Sequence, residues 1–366
     1  MYRSADKAIF SKQLDYKKKG LMDMDRSELA CEKPMRQKNN ILKNTTFTIL
    51  LAIVVTLIVG AIFDDSFVDA FNLSRLLRQA SILGLIAVGM TFVIIGGNGG
   101  IDLSVGAIFG LGCIISISLQ KVELQNTGSL KFTGVEAPIW IIFVVCIIAG
   151  ALIGYLNGAA CAYLKLPPFI STLCMMNIVR GSVMVYTNGF QFIGVRDDFS
   201  SISNGFVFDI IPNTLIVLLF IGVIAFFVLH RSAYGRKVFA IGANIKAASI
   251  SGINTKRIQI STYIISGILA AVAAVFYTSF SMSGDPKAGS GYEMDAITAV
   301  LIGGTPLVGG KGTVVGTLLG LLFIYLLRNL LTHLDINTYI QQLLMAILIL
   351  VVVLVQQNTN RKEARA

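Results

Sequence analysis

The residues LIGGTPLVGGKGT, 301–313, invite a chemical reading more than any other stretch, because glycine-rich loops ending in Gly-Lys can cradle phosphates. A nucleotide-binding loop needs Gly, four residues, then Gly-Lys-Ser/Thr, so that backbone amides and the lysine surround the phosphates while the hydroxyl holds Mg²⁺. With Gly310 and Lys311 in register, Thr305 stands where the first glycine belongs and Gly312 where the hydroxyl belongs. The motif fails at two positions. Catalytic groups are scarce elsewhere too. The two histidines, His230 and His333, sit at the ends of different apolar segments, so no Ser/His/Asp set, Cys/His set or metal pair can be assembled. Of the five cysteines (Cys31, Cys113, Cys146, Cys161 and Cys174), four lie in apolar stretches, where a thiol behaves as a small hydrophobe, and none shows metal-type spacing. The sequence predicts no enzyme, no metal site, no cofactor and no disulfide framework.

What remains is the apolar chain that positions these glycines. The 366 residues are 55% hydrophobic and 14% charged, with a mean hydropathy of +0.75. A soluble domain carries about a quarter charged residues. The sequence therefore reads as an all-α polytopic membrane protein. Hydropathy places about ten transmembrane helices at 47–63, 79–97, 102–118, 138–163, 167–187, 210–229, 258–281, 295–309, 313–333 and 338–355. Residues 1–46 form a polar basic segment, 47–355 the transmembrane domain and 356–366 a short tail. Segment 295–309 is short and interrupted by Gly303, Gly304 and Pro306, so it reads as a full broken crossing or as a re-entrant segment.

Charge gives the orientation. The N-terminal segment, the loop 230–257 and the tail together hold 20 of the 30 Lys and Arg residues, and the loop contains no Asp or Glu. With ten crossings these three segments share one side, which the positive-inside rule makes cytoplasmic, both termini included. The net charge of +10 is thus explained by topology; the basic residues lack the interleaved aromatics of a nucleic-acid surface.

The glycines repeat. GGIDLSVGAIFGL from Gly99 and GGKGTVVGTLLGL from Gly309 match at six of thirteen positions, 210 residues apart. One reading is two unrelated packing faces, since glycines four apart let helix backbones approach closely. The other is the paired, glycine-interrupted helices of a transporter built from internal repeats. A charged relay within the spans is missing, which argues against an ion-coupled carrier.

GGIDLSVG (99–106), LPPFISTL with the later RG and TNG (166–189), AIGANIKAASISGIN (240–254) and GSGYEMDAITAVLIGGTPLVGGKGTVVG (289–316) resemble the ribose-type sugar permeases of bacterial ATP-binding-cassette (ABC) importers. The resemblance runs from about 47 to 355. It departs from the family in the long N-terminus and in the extra Gly-Asn before Gly99. It implies a multi-pass subunit of the bacterial plasma membrane that passes a small sugar. Its implied partners are a second permease copy or paralogue, cytoplasmic ABC ATPases, an extracytoplasmic solute-binding protein and the surrounding lipid. A secondary carrier for a small polar solute is the alternative.

Three groups of residues follow from this reading. Gly99, Gly100, Asp102, Ser104, Gly106, Gly303, Gly304, Gly309, Gly310 and Gly316 are expected at the hinges of the translocation pathway. Asp102 either caps the following helix, accepting from the amides of residues 103–105, or faces the pathway. Asn244, Ala247, Ala248, Ser251 and Gly252 are expected to form a short ATPase-coupling helix, with Asn244 as N-cap and Gly252 in the left-handed position that ends it. Ile245 and Lys246 stand where many relatives place acidic residues. Arg75, Arg196 and Lys287 are expected to dock the binding protein by charge, or else to be ordinary solvated cations. Arg180 and Arg328 read as cations tying helices together.

Overall fold

The computed structural model describes residues 45–97, 99–120, 135–207 and 211–363. Cys31 and almost all of the expected N-terminal segment lie outside these residues, as do most of loop 119–137 and the end of the tail. The described chain forms thirteen α-helices: α1 (Thr45–Phe63), α2 (Ala70–Ile95), α3 (Val105–Ser118), α4 (Ile139–Ala162), α5 (Pro168–Thr187), α6 (Asp197–Asn204), α7 (Asn213–His230), α8 (Ala233–Ala243), α9 (Ile245–Ile250), α10 (Thr255–Ser281), α11 (Tyr292–Ile302), α12 (Val314–His333) and α13 (Thr338–Glu363). Two antiparallel ribbons of two residues per strand close the loops, Phe192–Ile193 with Ser283–Gly284 and Phe206–Val207 with Ile211–Pro212.

Every segment expected to cross the membrane contains a helix, but not all are full-length spans. Among the described residues seven helices, α1, α2, α4, α5, α7, α10 and α12, are long and apolar enough to cross a membrane. Two of the others, α3 and α11, differ for a physical reason. A span needs about 20 residues at 1.5 Å each, whereas α3 has 14 and α11 has 11. Each of these two is continued by irregular, glycine-rich backbone: 96–97 and 99–104 before α3, and 303–313 after α11. α13 spans 26 residues, and its apolar run continues through Val355 in the sequence.

Helix starts are written in the local sequence. Pro138, Pro167 and Pro212 stand directly before α4, α5 and α7 in extended conformation, and Pro168 opens α5; a fixed φ and a missing N–H suit that place. Ser232, Asn244, Asn254 and Thr313 cap α8, α9, α10 and α12, each accepting a backbone N–H two or three residues on.

Burial separates inner helices from outer ones. In α2, 94% of the most apolar window is buried, against 22% in α1 and 28% in α4. α2 is therefore the central helix, and α10 packs along it as well as along α3 and α4. The closest of these contacts rests on a stripe that the sequence reading passed over. Gly150, Gly154 and Gly158 line one face of α4, and a Cβ on any of them would run into the α10 backbone at Gly267, Tyr263 or Ile260. Spacing by four puts the three glycines on one face, so the two backbones touch along two turns.

Candidate functional site

Two glycine hinges face each other at one end of the bundle. α2 stops at Gly96, and Gly97 and Gly99 both adopt positive φ, +69° each, so the helix cannot continue. The chain then runs irregularly to Ser104, where α3 begins. On the other side α11 stops at Gly303, and the chain passes through Gly304, Gly309 and Gly310, all at positive φ, before Thr313 caps α12. The two hinges are in contact. The Gly310 amide donates to the Ile95 carbonyl at 2.9 Å, and a Cβ on Gly309 would overlap Gly97. The segments that repeat 210 residues apart in sequence thus meet in space at their breaks. The same contact brings the irregular half of 295–309 to the end of the bundle where α2 and α8 terminate.

The remaining expected hinge residues are spread around this contact. Gly316 on α12 packs against Gly303. Gly106 on α3 leaves no room for a Cβ because the Gly289 carbonyl and Glu293 Oε2 occupy the space. Gly100 donates to the Gly97 carbonyl at 3.0 Å, while Gly99 has open space beside it.

Asp102 is completely buried. One carboxylate oxygen accepts from the Ser104 amide at 3.1 Å and the Ser104 hydroxyl at 2.6 Å; the other accepts from the Ser266 hydroxyl of α10 at 2.9 Å. Asn157 of α4 donates to Ser104 Oγ at 2.8 Å. Of the amides open to a cap, the carboxylate takes that of Ser104, and its second oxygen reaches α10, so the group closes its own turn and also holds the hinge to α4 and α10. A buried carboxylate is tolerable only with such partners.

The loop 231–254 folds as two helices. Asn244 Oδ1 accepts from the amides of Lys246 and Ala247, both at 3.0 Å. α9 runs over 245–250, and Gly252 follows at φ +81°. Ala247 and Ser251 are exposed. Ala248 is not: it is 4% exposed and packs into its own chain, whereas Ile250 is 88% exposed. The outward face of α9 is therefore Ala247, Ile250 and Ser251, with Ala248 holding the helix down. A cavity of about 500 Å³ separates α9 from the second hinge, lined by Gly242, Asn244, Lys246, Leu307 and Val308 among others.

At the other end, Arg75 is exposed beside Phe71, and Lys287 is exposed on its loop. Arg196 is engaged, donating to Asp198 at 3.1 Å and to the Ala137 carbonyl at 3.0 Å. The three cations stand on separate segments, and among the described residues no contact joins them. Two other arginines hold the frame. Arg180 of α5 donates to the carbonyls of Pro286 and Ala288 at 3.1 and 2.9 Å. Arg328 of α12 forms a two-pronged pair with Asp295 of α11 at 2.8 and 2.6 Å, a partner that sequence alone could not supply across 33 residues.

Residues 72–353 match the family model described as branched-chain amino acid transport system / permease component. The chain belongs to this permease family. The ribose-type resemblance read from the sequence holds as well. The ribose import permease protein RbsC of Haemophilus influenzae is 38% identical over 297 residues, covering 80% of this chain and 87% of that protein. RbsC of Bacillus subtilis is 40% identical, covering 80% and 86%. The galactose/methyl galactoside import permease protein MglC of Haemophilus influenzae is 32% identical, covering 83% and 91%. No solved structure matches the chain.

Proposed function

We propose that this chain is the membrane-spanning subunit of an ABC importer and passes a monosaccharide, ribose-like or a hexose, across the bacterial plasma membrane. The observation that carries the reading is the extent of the match to ribose import permeases, four-fifths of the chain at 38 and 40% identity. The broken helices support it, because irregular backbone at membrane depth is tolerated where it lines a path.

In this reading the chain does no ATP chemistry. ATP is hydrolysed by a separate cytoplasmic subunit that docks on the outward face of α9, on the side with loop 231–254 and both termini. A second permease copy or a paralogue completes the path between the hinges at 96–106 and 303–316. An extracytoplasmic binding protein delivers the sugar to the opposite face, where Arg75 and Lys287 are free to steer an acidic surface and Arg196 shapes the loop from its pair with Asp198.

Uptake by proteoliposomes tests the proposal. The chain, its ATPase and its binding protein together should accumulate a sugar only with ATP inside. Accumulation by the purified chain alone, driven by an ion gradient, would instead establish the secondary carrier.

A further inference from the structure

We infer that the cavity between the outer ends of α2, α11, α12 and α13 is a binding site for a neutral monosaccharide, a stop for the sugar inside the permease itself. It encloses about 570 Å³ and is lined by Arg75, Gln79, Tyr292, Tyr325, Arg328 and Gln341 among others, within the usual range of about 300–1,000 Å³ for small-molecule sites. The inference rests on the reading of this chain as a sugar permease and adds to it a place where the sugar is held.

The lining has the chemistry that a polyhydroxylated ring requires. Each sugar hydroxyl both donates and accepts, and the Gln79 amide and the two phenols can do both. Gln341 donates to Thr332 and to the Ile336 carbonyl at 3.2 and 2.9 Å, which fixes its amide and leaves the side-chain oxygen as an acceptor. Two tyrosine rings offer flat apolar surface for the C–H face of a sugar. The charge balance decides between a sugar and an anion. Arg328 is neutralised by its two bonds to Asp295, which also fix the guanidinium and leave its other N–H groups as directed donors. Arg75 is then the one lysine or arginine of the lining whose charge no carboxylate offsets among the described residues, too little positive charge for a phosphate. Asn72 and Asn329, also in the lining, bond each other at 2.9 and 3.1 Å and hold α2 to α12 at the site.

The full chain in lipid nanodiscs should bind at least one of D-ribose, D-xylose and D-galactose saturably in the millimolar range by saturation-transfer NMR. Tyr325→Phe removes one hydroxyl and Gln79→Ala one amide, so each should weaken binding about fivefold, the effect of one lost hydrogen bond. In the complete transporter both variants should lower maximal uptake while the sugar-loaded binding protein still stimulates ATP hydrolysis, which a merely structural defect would not spare. The inference is overturned if none of the three sugars binds, if both variants bind like the parent, or if inorganic phosphate binds as tightly as the sugars. ATP-driven uptake that persists alongside any of those results leaves the transport reading standing; absence of uptake of every sugar by the complete transporter sinks both.

Discussion

Gly242 of α8 and Gly310 of the second hinge lie backbone against backbone. A Cβ on Gly242 would sit 2.5 Å from the Gly310 nitrogen and would overlap the Ile95 carbonyl, which accepts the Gly310 amide. The helix leading into α9 is thereby in direct contact with both hinges. If α9 moves with an ATPase, this is where the movement reaches the pathway.

Gly242→Ala is the smallest change that separates them. Overpacking of this kind costs about 1–3 kcal/mol, not enough to unfold a bundle of this size but enough to part α8 from Gly310. The variant should insert at normal levels and lose most ATP-driven uptake, measured against its amount in the membrane. Uptake within twofold of the parent would remove this contact from the coupling route.

The face of α9 gives a second prediction. Ile250→Glu places a charge where 88% of the side chain is exposed, so the permease should stay folded while stimulation of ATP hydrolysis by the loaded binding protein falls at least about tenfold, as for the loss of one well-packed anchor. Ala248→Glu should destabilise the loop itself, because Ala248 is buried. Equal thermal stability of the two variants would show that the helix does not sit as described.

Asp102 gives a third. Asp102→Ala strips the Ser266 and Ser104 hydroxyls of their acceptor in a buried place, a loss of about 1–3 kcal/mol per unsatisfied group. Asp102→Asn keeps the shape and one accepting oxygen, so it should be milder. The order parent, Asn, Ala in thermal midpoint checks the cage; an Ala variant as stable as the parent would exclude it.

A fourth prediction concerns pH. Asp64, in the turn after α1, meets His333 at 2.5 Å and accepts from Ser66, and those bonds lower its pKa from 3.8 to about 2. A depressed carboxylate adds stability above its unfolded pKa and loses it as pH falls through the folded value. The thermal midpoint of the parent should therefore drop more than that of Asp64→Asn between pH 3.8 and about 2. A constant difference through the window would mean that the Asp64 bonds add nothing to the fold.

Much of this arrangement was legible in the sequence, and the residues show why the rest was not. Hydropathy located every helix from α1 to α13 that lies in the bundle, and the Asn244 and Gly252 signals marked both ends of α9, because capping is a local property. The lengths of α3 and α11 were overestimated since glycine-rich irregular backbone is as apolar as helix. The orientation of Ala248 escaped because a helix of six residues has no periodicity to read. The pairing of Asp295 with Arg328 and the α4 glycine stripe depend on what lies opposite, which one chain of letters does not state.

The shortness of α11 governs how this protein can be made. Eleven residues extend about 16 Å, too little for a ribosome-bound translocon to release into lipid as an independent span, and eleven irregular residues follow with backbone groups that lipid cannot satisfy. α11 must therefore wait until α12 has been synthesised and can cover it, with Gly316 and Gly320 receiving Gly303 and Ala299. α11 and α12, within residues 292–333, thus form a hairpin whose first arm is covered only after the helix that follows it exists.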